Sequence, residues 1–167
     1  MEINGVILFK EVQHFRVKWL WWLIIVIEVA SYGAMIGFAM SEKEDSRSIW
    51  IAMIFSFLLM AAITWLFYIT RFEKIVTTQG VFYKWWPFQK SYWIIETSGI
   101  DNFELRKVPF LSYGFHCMPG YGRVHNLNPG KGIRFKMKNG KKIFLGTQKP
   151  EEFQSVLRKI MPLSHRL

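Results

Sequence analysis

Two windows of 22 residues, 19–40 and 49–70, constrain this chain more than any other feature. Together they hold 37 apolar residues in 44 positions and a single charge, Glu28. A helix over either window is about 33 Å long at ~1.5 Å per residue, enough to cross a hydrocarbon core of roughly 30 Å. Both windows are apolar on every side, whereas a helix packed on a soluble domain of this size carries one apolar stripe. Both also have aromatic ends at interfacial depth: Trp19, Trp21 and Trp22 in the first, Trp50, Trp65, Phe67 and Tyr68 in the second. A cleaved signal peptide does not fit, because its apolar stretch runs to only about 7–15 residues. The expectation is a transmembrane hairpin over 19–70, with spans 19–40 and 49–70 and a short external turn, 41–48.

Composition then sets the orientation. The 167 residues carry 22 Lys and Arg against 12 Asp and Glu, a net +10. Residues 71–167 account for 17 basic and 6 acidic side chains, while the turn 41–48 has Lys43 and Arg47 against Glu42, Glu44 and Asp45. Positive charge collects on the cytoplasmic side of membrane proteins. A multi-pass protein of the cytoplasmic (inner) membrane is expected, with both termini inside. Cys117 is the single cysteine, so a disulfide scaffold is excluded, and a free thiol is expected in a reducing compartment.

Glu28 sits near mid-span, where a carboxylate is costly and needs a partner. Counting depth from the cytoplasmic ends puts it level with residues 61–64, so Thr64 and the indole N–H of Trp65 are its expected partners. With no second ionisable group in either span, a polar packing contact fits better than a proton relay. Gly33, Gly37, Ala52 and Ser56 form small-xxx-small pairs that suit close packing, within the hairpin by default or between two copies of the chain. Residues 1–18 are expected to be a cytoplasmic or interfacial arm. Leu8, Val12 and Phe15 within it, and Trp19 just after it, recur at helical spacing.

Beyond residue 71 the period changes to short β-branched and aromatic runs between turn signals: 75–79, 81–86, 92–96, 100–107, 123–128, 133–138 and 142–145. Asn139-Gly140 predicts a two-residue type I′ hairpin turn, with Ile133, Phe135 and Met137 sharing one face. A helix should follow from Pro150, with Glu151 and Glu152 at its start and Arg158 and Lys159 at its end. Phe153, Val156, Leu157 and Ile160 form its apolar stripe, and Pro162 stops it. The expected class is therefore an α+β membrane protein: a helical hairpin followed by a seven-stranded barrel or sandwich with a C-terminal amphipathic helix.

Four segments carry a resemblance. They are Phe9-Lys-Glu-Val-Gln-His-Phe-Arg16, Thr77-Thr-Gln-Gly-Val-Phe-Tyr83, Trp86-Pro-Phe-Gln89 and Asn139-Gly-Lys-Lys-Ile-Phe-Leu-Gly-Thr-Gln-Lys-Pro-Glu-Glu152. On these the chain resembles small bacterial membrane proteins in which a two-helix hairpin precedes a bacterial pleckstrin-homology-like (bPH) domain. The sequence departs after Tyr113-Gly114, where a Gly/Trp-rich segment is replaced by Phe115-His-Cys-Met-Pro119. The resemblance implies a PH-like fold over 71–167 and a binding role, and names no reaction.

No catalytic constellation is present. His116 and Cys117 are adjacent, so on a strand they point to opposite faces, and His125 lacks an orienting third group. Paired metal-ligand spacing is missing, and no cofactor is expected. The glycines of Gly120-Tyr-Gly122 and 128–132 fail the Walker pattern, which needs a glycine where His125 stands and Ser or Thr at Gly132. Arg123, Lys131, Arg134, Lys136, Lys138, Lys141 and Lys142 cluster around one hairpin. They make a candidate surface for the anionic inner leaflet, at about 1 kcal/mol per basic residue near the bilayer. Nucleic acid is the weaker partner, since Tyr83, Trp85 and Trp86 lie beside the membrane exit. The expected role is a non-enzymatic interaction or assembly module at the cytoplasmic membrane face. It would bind anionic membrane lipids, further copies of itself or an unidentified membrane protein. The alternative is a subunit of a membrane enzyme or transporter using Glu28 or the loop 115–123.

Overall fold

The computed structural model describes residues 5–15, 17–41, 46–109, 112–128 and 130–161. It divides into two compact units. One is the helical segment Arg16–Ile69, and the other joins Met1–Phe15 to Thr70–Leu167.

The helical unit is an antiparallel pair, α1 (Lys18–Ser41) and α2 (Ser46–Ile69). Both are long and apolar enough to cross a membrane, and none of either apolar stretch is buried. The turn expected at 41–48 falls mainly on residues outside those described. Half-buried positions on α1 recur at Trp21, Ile24, Glu28, Ser31, Tyr32, Met35 and Ala39, and on α2 at Met53, Ser56, Met60, Thr64 and Phe67. Steps of three and four are the seam of two helices packed side by side. Tyr32 meets Phe57 across it, with ring centroids 6.1 Å apart. Gly33 and Gly37 lie off this seam, and a methyl group at either would meet nothing within 4 Å. The close hairpin packing expected of them is therefore absent.

The β unit contains nine strands among its described residues, in two sheets. The first has the order β1-β2-β3-β4, built from Ile7–His14, Arg71–Thr77, Gly80–Trp86 and Trp93–Glu96. The second has the order β5-β8-β9-β7-β6. Its strands are β5 (Ile100–Lys107), β6 (Gly114–Met118), β7 (Gly122–Asn126), β8 (Lys131–Met137) and β9 (Lys142–Gly146). All pairs are antiparallel except β7 with β9. No strand is shared, so the sheets face one another as an open sandwich and do not close into a barrel.

Two strands exceed the seven expected, and both have physical causes. The arm expected to be helical is β1, paired residue for residue with β2 from Phe9↔Val76 to His14↔Arg71. Its buried residues alternate as Phe9, Glu11 and Gln13, while Leu8 and Val12 face out. The helical spacing of Leu8 and Val12 therefore follows the exposed face of a strand. The second is β6, which turns through Met118–Tyr121 (Tyr121 N–H to Met118 O, 3.1 Å) into β7.

The inner faces supply the core: Phe72, Val76, Val81 and Trp85 from one sheet, Phe103, Ile133, Phe135 and Leu145 from the other. Helix α3 (Pro150–Ile160) packs on β1 and β8 and covers one open side. Phe153 stacks on Phe9 at 5.1 Å and meets Phe135 at 6.3 Å. Pro162 lies beyond the described residues. The opposite open side, between edge strands β4 and β6, is spanned by Trp93 and Phe115 at 6.4 Å. A smaller cluster of Val108, Val124 and Phe144, flanked by Met118 and Tyr121, lies on the other face of the second sheet.

The β8–β9 turn is one residue longer than the Asn-Gly signal suggests. Gly140 N–H donates to Met137 O at 2.9 Å and Met137 N–H to Lys141 O at 2.8 Å, while Lys136 pairs with Lys142. This is a three-residue connection with Gly140 at φ +79°, the bulged form of hairpin and not type I′.

Both connections to the helices leave from one end of the first sheet, because His14 pairs with Arg71 and Arg71 with Trp86. The far end holds the β2–β3 turn. Thr97 N–H donates there to Gln79 O (3.1 Å), and Lys138 N–H to the adjacent Gly99 O (2.9 Å). The basic β8–β9 turn is thus at the far end, six residues or about 20 Å along β2 from the linkers.

Candidate functional site

The structure divides the seven candidate basic residues into two sets. Lys136 pairs with Asp101 at 3.0 Å, Lys131 with Glu151 at 3.5 Å, and Arg134 with Glu104, which also holds Arg106 at 3.1 Å. Each of these three has an acidic neighbour within the domain, Glu104 being shared between two arginines. Arg123, Lys138, Lys141 and Lys142 have no acidic partner among the described residues.

Three of the latter come together. Arg123 on β7 lies opposite Cys117 of β6 and Ile143 of β9, so the three share one face. Lys142 stands beside Ile143, and Lys141 follows the turn. With Met118, Pro119 and Gly122 they line a cleft of about 500 Å³. Gly122 has φ +77°, and a methyl there would strike the Lys142 carbonyl, so glycine is what lets β7 and β9 approach. Three cations over a partly apolar floor suit a carboxylate- or phosphate-bearing ligand with some apolar surface. The Cys117 thiol is exposed at this cleft. His116 follows the opposite face of β6 and contacts Ser112 Oγ at 3.1 Å, so it does not activate the thiol.

His125 occupies a different place. Buried between the sheets, it is surrounded by Phe115 at 4.7 Å, Tyr83 at 4.9 Å, Trp93 at 5.8 Å and Phe72 at 6.3 Å. Its Nδ1 accepts the Trp85 indole N–H at 3.1 Å. Burial, then Arg123 and His116, push its pKa down to about 4, so the ring is neutral with its proton on Nε2. It is a packing centre.

The most buried charges escaped the sequence reading. Lys74 is fully enclosed, with its ammonium 2.9 Å from Glu11 and a second bond to Gly146 O. Glu11 also accepts from Gln13 Nε2 at 2.7 Å, Thr147 Oγ1 at 2.5 Å and Gln148 N–H at 2.7 Å. Burial lowers the Lys74 pKa to about 8 although Glu11 opposes it. Burial alone would raise the Glu11 pKa; Lys74 and the three hydrogen bonds overcome that and hold it below the ordinary value. The network ties β1 and β2 to the end of β9, a structural role. The signal for it is Phe9-x-Glu11-x-Gln13-x-Phe15, which is period two once polar groups are allowed inside.

In the helical unit, Thr64 Oγ1 donates to Glu28 Oε1 at 3.0 Å, and Ser31 Oγ donates to the Glu28 carbonyl at 2.9 Å. Trp65 lines the same groove of about 380 Å³, with Trp21, Tyr32, Phe57 and Met60, but makes no hydrogen bond to Glu28. Ala52 and Ser56 are on α2, Ala52 exposed and Ser56 half-buried. A single carboxyl satisfied by a hydroxyl is a polar clasp between two helices.

Comparison with protein-family models, curated proteins and solved structures finds no match.

Proposed function

We propose that this is a two-span membrane protein whose β unit, a PH-like domain, is held at the cytoplasmic face as an interaction module for an acidic segment of a partner protein. The cleft of Arg123, Lys141 and Lys142 carries this reading. Its charges have no acidic partner among the described residues, while Lys131, Arg134 and Lys136 beside it do. It also lies at the far end from the linkers, where a partner from solution reaches it more readily than the lipids of the anchoring bilayer. The two apolar helices and the basic bias of residues 71–167 support the anchoring and the orientation, with both termini inside. The Glu28–Thr64 contact supports assembly of the hairpin over a transport role.

The test uses the full-length protein in zwitterionic nanodiscs and a fluorescein-labelled poly-glutamate peptide, read by anisotropy. The peptide should bind in a salt-sensitive manner. Arg123→Glu with Lys142→Glu should weaken it at least about tenfold, or ~1.4 kcal/mol. Lys131→Glu with Lys136→Glu, which removes charges already paired, should weaken it far less. Equal loss from both pairs of changes would contradict the cleft.

A further inference from the structure

We infer that the linker end of the β unit carries an aromatic and cationic rim that seats in the interfacial zone of the bilayer, with Trp86 and Phe88 as its inserted side chains. The inference rests on the membrane-anchored reading above.

The exposed aromatic residues of this unit are unevenly placed. Those described are Trp86, Phe88, Trp93 and Phe115, at 39%, 65%, 42% and 57% exposure. All four belong to the half of the domain from which the linkers leave. Trp86 pairs with Arg71. Phe88 follows in the β3–β4 loop, and Trp93 opens β4 opposite Tyr83. Phe115 is the second residue of β6, next to the Gly114↔Asn126 pair. The position of that pair is fixed by Asn128, two residues on, whose Nδ2 donates to His14 O at 3.4 Å. Only one residue separates α2 from β2, and three separate β1 from α1.

The exposure of Phe88 is built in. Gln89 N–H donates to Trp85 O at 2.7 Å, and Gln89 Oε1 accepts the Trp85 N–H at 3.0 Å, which closes the loop under it. Trp86 is flanked by two cations, the Arg71 guanidinium 5.7 Å and the Lys84 ammonium 5.2 Å from its ring centre, Arg71 being itself paired with Glu73 at 2.9 Å. Lys84 lies 5.3 Å from the Tyr92 ring, whose hydroxyl donates to Glu73 at 2.6 Å. Lys90 is exposed beside Phe88. Aromatic rings with adjacent Lys and Arg are the composition that partitions to the headgroup region, the rings below the phosphates and the cations among them. In water the same arrangement leaves a pinned phenylalanine exposed for no structural return. The rim thus fixes the tilt of the domain and turns the Arg123–Lys141–Lys142 cleft away from the membrane.

The test places one nitroxide at a time on the full-length protein in a Cys117→Ser background, reconstituted in vesicles of phosphatidylcholine and phosphatidylglycerol. Labels go on Phe88→Cys, Lys138→Cys and Phe55→Cys, and collisions with oxygen and with a water-soluble nickel chelate are compared. The label at 55, on an exposed face of α2, should be accessible to oxygen and shielded from nickel; if it is not, the anchoring itself fails. With 55 in lipid, the inference expects 88 to favour oxygen also, and 138 to favour nickel. A label at 88 as accessible to nickel as the one at 138 would overturn it. So would shielding of 88 from both reagents, which would mean contact with protein.

Discussion

Glu11→Ala is expected to lower the unfolding free energy of the β unit by about 3–5 kcal/mol, because it leaves an enclosed ammonium without its counter-charge. The substitution also strips three hydrogen bonds from Thr147, Gln13 and Gln148. Pulse proteolysis of the full-length protein in detergent, across a urea series, measures it. Glu11→Leu combined with Lys74→Met should recover most of the loss, since an apolar pair of similar volume carries no desolvation cost. The pH dependence has a defined sign. Folding lowers the Lys74 pKa from 10.5 to about 8, so between those values the unfolded chain holds more protons than the folded one. Stability from this group therefore rises as pH goes from about 8 to 10.5. The Glu11 pKa is lowered, so its contribution is present above the unfolded value of 4.5 and is lost as pH falls below it. Lys74→Met should abolish the alkaline gain. A loss under about 1 kcal/mol in Glu11→Ala would mean that Lys74 reaches water.

Phe153→Ala should cost about 3–5 kcal/mol in the same measurement. The ring is fully buried and joins three elements: Phe9 of β1, Phe135 of β8 and its own helix α3. It also lies 5.7 Å from the Lys74 ammonium, so the cavity would open beside the buried ion pair. Water entering there relieves the burial that lowers the Lys74 pKa, and the alkaline gain in stability should shrink with it. Phe153→Leu refills most of the volume and should lose much less. A small effect of Phe153→Ala would show that α3 is not an integral part of the sandwich.

The helical pair was legible in the sequence because its signal is length and uniform apolarity, which need no knowledge of a partner. The seam was legible in part. Glu28 and Thr64 fall on it by depth counting, whereas Gly33 and Gly37 share its spacing but point away. Spacing alone does not say which face meets the neighbour. Most strands of the β unit announce themselves by alternation. β1 does not, because Glu11 and Gln13 are inside and Leu8 and Val12 are outside; only Lys74, more than sixty residues away in sequence, makes that inversion stable. Distant pairing also governs the basic cluster. As a string it reads as one patch, yet Asp101, Glu104 and Glu151 neutralise part of it and leave the rest around a cleft.

The anchoring and orientation can be tested on the native chain through Cys117, its single cysteine and an exposed thiol. A membrane-impermeant maleimide should modify Cys117 in opened cells and not in intact ones, with the protein retained in the carbonate-washed membrane pellet. Modification in intact cells, or recovery of the protein in the soluble fraction, would contradict a membrane hairpin that holds the β unit at the cytoplasmic face.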